Sequence, residues 1–322
     1  MPVLPKNTFM PLIEPVPPTL GRQIQAAFRM FRLAPGVMVV VPLLTALAVA
    51  PPLVLAVTTL LRRLEQAAHY NLNIAAWVRN WLLDYSVVLA LALGVSVVVT
   101  TALQGAVTHA TGRACLGYST KTKEGMTLGF RRWFALFAQG LIAAAPGFAA
   151  YCLMLYGFWQ FLFWQIDRDY VVDLAAPSFM PFVIGLLALF PGLAWSASLS
   201  MAPSAIVLEG RGLFAGIARS LRLTRGSFGR ILGRWLAISL LAAMASASAS
   251  NAVTVAPMVS LLIGIPLAGI VATWEDAAFT LFYIDRRIAE GDFAAHITDS
   301  VLITPDDPLT AQTQHPAKAA GP

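Results

Sequence analysis

Six predominantly apolar stretches divide the chain, at roughly 36–61, 85–109, 133–162, 179–204, 231–251 and 256–282. An α-helix needs about 20 apolar residues to cross ~30 Å of hydrocarbon, so each stretch predicts a transmembrane helix. Three shorter segments precede the odd-numbered spans and mix an apolar helical stripe with arginines. They are GRQIQAAFRMFRL (21–33), KEGMTLGFRRWFALF (123–137) and GRGLFAGIARSLRL (210–223). In the first, Ile24, Phe28 and Phe31 share a side while Arg22, Arg29 and Arg32 lie elsewhere. That pattern predicts helices lying in the interface, apolar face toward acyl chains and guanidinium groups toward lipid phosphates.

The stretch from Leu208 to Arg234 is the most concentrated of these. It carries arginines at 211, 219, 222, 225, 230 and 234 against a single acid, Glu209. Leu213, Phe214, Ile217 and Leu221 recur at helical spacing, and Arg219 and Arg222 fall off that stripe. The three segments, each followed by a pair of spans, suggest a loosely repeated unit of interfacial helix plus hairpin. Arginine flanks on any span entered from the cytoplasm are the plainer reading of the same pattern.

Basic residues set the orientation. With the N-terminus in the cytoplasm, 18 of the 22 Lys and Arg residues fall in inner segments, and only Arg62, Arg63, Arg79 and Arg168 in outer ones. The positive-inside bias therefore predicts both termini inside. Prolines 42, 51, 52, 146, 191, 257 and 266 stand within the apolar runs, where they predict local kinks or breaks. The adjacent Pro51–Pro52 pair would split the first span into two half-helices. Residues 61–84 read as a further amphipathic surface helix, with Trp77, Trp81 and Tyr85 suited to the headgroup belt.

Composition supports the same class. The chain of 322 residues is 58% hydrophobic and 12% charged, with mean hydropathy +0.71, whereas soluble domains carry about 25% charged residues. The expectation is an all-α, polytopic membrane protein of about six transmembrane helices with cytoplasmic interfacial amphipathic helices. Residues 1–18 form a flexible proline-rich N-terminus, 19–290 the membrane domain and 291–322 a disordered polar tail. Prolines interrupt the first 20 residues, so no cleavable signal peptide is expected. The net charge of +6 is placed beside spans rather than on a soluble basic face, which argues against nucleic-acid binding. Cys115 and Cys152 fall in a predicted loop and a predicted span, so neither a disulfide nor a metal site is expected, and no cofactor either.

Residues 201–233, MAPSAIVLEGRGLFAGIARSLRLTRGSFGRILG, carry a recognisable order of elements. Pro203 is followed by Glu209–Gly210, a glycine-containing amphipathic helix, Arg219–Ser220, and Leu223-Thr224-Arg225-Gly226 before the next span. After the last span comes FYIDRRIAEGDF, residues 282–293. These runs resemble the membrane domain of glycerophosphoryl diester phosphodiesterase, over a core of about 20–295. The resemblance implies a stand-alone bacterial membrane domain. It does not bring the phosphodiesterase reaction, because His69, His109, His296 and His315 stand in no HRG context and the chain leaves no room for a catalytic barrel.

Candidate sites each carry two readings. Glu275–Asp276 lie deep in the last span; Asp276 is nine residues, about 13 Å, from Asp285 at the predicted inner interface. Carboxylates at that depth face a bundle interior or a wet cavity. They are read either as a proton or cation relay or as ion-pair partners of Arg230 or Arg234; the family pattern is apolar at this step. Glu209 with Arg219, Arg222, Arg225 and Arg230 is either a phospholipid-headgroup site or a helix-entry motif whose charges orient the chain. Asp285, Arg286 and Arg287 read as an interface anchor with snorkelling side chains. The small residues of Ala242 to Asn251 suit close helix packing, within the monomer or between copies. Gln104, Gln139 and Gln160 cross-link helices or line a path, and His109 has no companion ligand.

These readings give a non-enzymatic bacterial inner-membrane module engaging anionic lipids, a partner membrane protein or a second copy. The alternative is a small permease using Glu275 and Asp276. No HExxH or GxSxG pattern favours an intramembrane enzyme.

Overall fold

The computed structural model describes residues 20–44, 74–115, 121–166, 180–251 and 257–289, with a few single positions between 46 and 66. Every regular element among them is helical. In chain order they are α1 (Leu20–Leu33), a π-helical turn (Gly36–Val40), α2 (Ile74–Cys115), α3 (Thr122–Ile166), α4 (Met180–Leu199), α5 (Ala202–Leu208), α6 (Leu213–Thr224), α7 (Phe228–Asn251) and α8 (Pro257–Ala289). The expected flexible ends, 1–18 and 291–322, and most of the first span lie outside the described residues.

Among the described residues four helical stretches are long and apolar enough to cross a membrane: Thr122–Gln160, Met180–Leu208, Phe228–Ala245 and Pro266–Arg287. The pair Leu20–Leu33 and Gly36–Leu44, bent by 94°, makes a fifth if it is one span. Among the described residues the chain is thus all-helical, with four to five apolar helices of spanning length. The expected span at 85–109 lies within α2, a helix of 42 residues.

Two local expectations change. The amphipathic segment 123–137 is no separate interfacial helix; it runs without a break into the next apolar run as the 45-residue α3. At 1.5 Å per residue such a helix is about twice as long as the hydrocarbon is thick, so its amphipathic end projects beyond the apolar zone. Three of the internal prolines do not split their helices either: α3 continues through Pro146, α4 through Pro191 and α8 through Pro266, while Pro51 and Pro52 lie outside the described residues.

The break that does occur lies at 200–201, between α4 and α5, ahead of Pro203 in the first turn of α5. It frees carbonyls that a span must satisfy internally. Ser220 donates to Ser198 O at 2.7 Å and Thr224 to the same oxygen at 3.3 Å, while Gln139 donates to Leu199 O at 3.3 Å.

The long helices close a ring: α8 packs on α2, α2 on α3, α3 on α4, α4 on α7, and α7 on α8. Glycines allow backbones to approach at two of these crossings, the close packing that small residues give inside membranes. A Cβ on Gly105 of α2 would stand 2.8 Å from Cα of Gly129 on α3. One on Gly192 of α4 would stand 2.9 Å from Cα of Gly147 on α3.

Burial is concentrated at one end of this ring. All seven residues of α5 are buried, and the main core gathers Met201, Ile206, Leu208, Leu223, Phe282 and Tyr283 around it. Only 11%, 22% and 17% of the apolar windows of α3, α4–α5 and α7 are buried, against 50% for α8. The first three therefore present broad apolar surfaces outward, and α8, packed by α1, α2 and α7, is the most enclosed of the four.

Candidate functional site

Gly210, with φ of 65°, turns the chain after α5, and the extended Gly212 starts α6. The turn folds α6 back onto α5, where a Cβ on Gly216 would stand 2.6 Å from Cγ1 of Ile206. The buried face of α6 is Gly216, Arg219, Ser220, Leu223 and Thr224. Its apolar stripe points the other way: Phe214 is 79% exposed, with Leu213, Ile217 and Leu221 half-buried. Arg222 and Arg225, and Arg230 at the start of α7, are exposed. The arginines of this segment are thus split between two environments, which spacing along one helix does not reveal.

Arg219 belongs to the inner one. Its Nε stands 3.5 Å from Oε1 of Glu209, and the two side chains are 8% and 3% exposed. The same Oε1 accepts hydrogen bonds from the Tyr283 hydroxyl and from Nη1 of Arg287, both on α8, while Oε2 accepts from Nε of Arg211. Glu209 therefore ties the α5–α6 turn to the last helix. Burial by itself would raise the Glu209 carboxyl. The hydrogen bonds from Tyr283 and Arg211 and the charges of Arg287 and Arg211 outweigh it, and the group is held below the ordinary carboxylate value.

The expected interface anchor separates in the same way. Arg287 has no exposed surface and is part of the Glu209 cluster, so it does not snorkel. Arg286 donates through Nη2 to Leu223 O at 3.3 Å, at the end of α6. Asp285 pairs with Nη1 of Arg234 on α7 at 3.3 Å, and that guanidinium also stands 5.0 Å above the ring of Phe282.

Arg234 is thereby engaged with Asp285, and the expected pairing of Glu275 or Asp276 with Arg230 or Arg234 is replaced by neutral donors. Ser239 of α7 donates to Glu275 at 2.8 Å, and the Gln104 amide of α2 donates to Asp276 at 3.2 Å. The two adjacent carboxylates face different neighbours because successive helical residues are about 100° apart. Both are half-buried, as is Gln104.

Gln104 begins a longer correspondence. Thr280 donates to Thr108 at 3.4 Å, four residues further along both helices. Both pairs share an offset of 172 residues, so α2 and α8 run parallel. One series on α2 follows steps of three and four, Thr101, Gln104, Thr108, Thr111 and Cys115. One on α8 follows the same steps, Thr273, Asp276, Thr280, Tyr283 and Arg287, and the offset matches the two series term by term. Two of these pairs are in contact, Gln104–Asp276 and Thr108–Thr280, and further along α8 Tyr283 and Arg287 reach the Glu209 carboxylate.

The structure thus joins Glu209, Arg219 and Arg287, leaves Arg222, Arg225 and Arg230 outside, and keeps Glu275 and Asp276 in a separate polar zone linked through α8. Tyr283, Arg211 and Ser239 were missed, although the heptad spacing of polar residues in 101–115 and 273–287 was a readable signal. Gln139 serves the helix break, Gln160 is exposed and His109 is buried. Ala242 is buried in the main core; the side chains of 246–251 lie outside the described residues. No family model, curated protein or solved structure matches this chain.

Proposed function

We propose that the chain is a six-span module of the bacterial inner membrane, both termini cytoplasmic, akin to the membrane domain of glycerophosphoryl diester phosphodiesterase. It engages anionic lipid headgroups, or a partner membrane protein, through the outer surface of α6. The observation that carries this reading is the exposure of Phe214 and Arg222 on α6 and of Arg225 just past its end, beside apolar spans. An aromatic ring at acyl depth and guanidinium groups at phosphate level fit the two layers of an interface. The basic-residue distribution supports the orientation. The parallel course of α2 and α8 supports the span count, since the second and sixth spans of such a chain must run the same way.

Lipid carried through mild detergent extraction of the whole protein tests the reading. The extracted phospholipid should be enriched in anionic species relative to the membrane, and the triple change Arg222→Gln, Arg225→Gln, Arg230→Gln should return it to the bulk ratio. An unchanged ratio in the triple variant would reject lipid engagement by this surface. A second reading, a small permease using Glu275 and Asp276, is favoured by the hydrogen-bonded polar zone that α2 and α7 build around them.

A further inference from the structure

We infer that α1 has two seats: the docked one on α8, and a second in the membrane interface, on anionic lipid, reached by pivoting at 34–36. The docked seat contains a polar misfit. Gln23, Ala27 and Met30 form the buried face of α1. Gln23 is 2% exposed, and neither atom of its amide is hydrogen-bonded to another group of the protein. Trp274 of α8, whose ring lies 5.5 Å from that of Phe28, is buried with its indole N–H in the same condition. Phe28 itself is left 57% exposed. Docking thus hides polar atoms and bares an aromatic ring. Buried polar atoms without partners weaken the contact that hides them.

The second seat removes both defects. Ile24, Phe28 and Phe31 share one stripe of α1, and Arg29 and Arg32 are exposed outside it. With that stripe toward acyl chains, Gln23 lies about 100° of rotation from Ile24, at the level of water and headgroups, and the guanidinium groups reach phosphate level. The joint allows the exchange. On its far side the chain is fixed: a Cβ on Gly36 would collide with Oγ1 of Thr122 on α3, and one on Gly269 of α8 would stand 3.3 Å from Cβ of Pro42. From this fixed piece α1 departs at a bend of 94°, where Pro35 supplies no N–H. The charge of the surrounding lipid then sets how often α1 covers Trp274 and the α8 face around it.

α1 is read by itself, so the result does not depend on lipid binding by α6. Full-length protein carrying Ala27→Cys, or separately Met30→Cys, is placed in nanodiscs of phosphatidylcholine, alone or mixed with phosphatidylglycerol. Alkylation by N-ethylmaleimide is followed at each cysteine by mass spectrometry, with the native Cys115, buried at the end of α2, as the measure of general opening. Ala27 and Met30 have no exposed surface in the docked seat, yet both introduced thiols should react about tenfold faster than Cys115. Phosphatidylglycerol should raise their rates about threefold, and the double change Arg29→Gln, Arg32→Gln should abolish that rise. Gln23→Leu, which removes the buried amide, should lower the rates about tenfold. The triple change Arg222→Gln, Arg225→Gln, Arg230→Gln should leave the rise in place; its loss there would assign the lipid effect to α6 and overturn the second seat. Introduced thiols no faster than Cys115, rates that ignore lipid charge, or Gln23→Leu reacting as fast as its parent would each overturn it too.

Discussion

Arg287, which has no exposed surface, donates to the carboxylate of Glu209, a residue 78 positions earlier in the chain. The bond fastens the last helix to the turn that sets the direction of α6. Removing one partner of a buried pair leaves the other charge without compensation, at a cost of about 3–5 kcal/mol. Glu209→Gln and Arg287→Gln should each lower stability by that order. Arg211→Gln should cost no more than about 1 kcal/mol, because the Arg211 side chain is 35% exposed and water screens its share. Thermal unfolding in lipid nanodiscs compares the three; equal losses would show that burial does not rank these contacts.

The same cluster sets an acid limit. Glu209 is held below its ordinary value in the folded chain, so its contribution is fully present above the unfolded carboxylate pKa and is lost as pH falls through the lower, folded one. Melting temperature followed downward in pH should fall more steeply in the wild-type protein than in Glu209→Gln, the two curves converging in acid. Parallel curves would remove Glu209 from the acid response.

The break between α4 and α5 depends on side-chain donors. Gln139→Leu leaves Leu199 O without that donor and should cost about 1–3 kcal/mol. Ser220→Ala should cost less, since Thr224 also reaches Ser198 O, and the double change Ser220→Ala, Thr224→Val should exceed the sum of the two singles. Hydrogen exchange at 199–208 reports this locally; simple additivity would mean that the two hydroxyls do not substitute for each other.

Close backbone approach gives a sharper contrast. Gly105→Val puts a side chain against Gly129, and overpacking of this kind costs about 1–3 kcal/mol. Gly140→Ala, with nothing within 4 Å of the added carbon, should be neutral or stabilising through helix propensity of up to about 1 kcal/mol. Both are read by denaturant unfolding in detergent.

Apolar run length made the helical class and four spanning stretches readable, because hydrocarbon thickness acts on every residue of a run. The helix break at 200–201 was not readable: it depends on Gln139, Ser220 and Thr224 arriving from other helices, whereas Pro146, Pro191 and Pro266 left their helices continuous. The arginines were readable as a group but not individually. Arg219 and Arg222 both lie off the apolar stripe, and only the fold of α6 onto α5 turns Arg219 toward Glu209 and leaves Arg222 outside. Glu275 and Asp276 stood out as acids within a span. Their partners are set by rotation about α7 and by a distant helix: Ser239, not Arg230 or Arg234 of the same helix, meets Glu275, and Gln104 arrives from 172 positions away.

The central claim is that this division of arginines is a division of labour, and one paired measurement addresses it. Melting temperature and extracted-lipid composition are recorded side by side for Arg219→Gln and for the triple change Arg222→Gln, Arg225→Gln, Arg230→Gln. The account predicts that Arg219→Gln lowers the melting temperature while anionic-lipid enrichment stays, and that the triple variant loses the enrichment while the melting temperature stays. Loss of enrichment in Arg219→Gln with stability intact, or a triple variant that unfolds early and keeps its lipid, would contradict it.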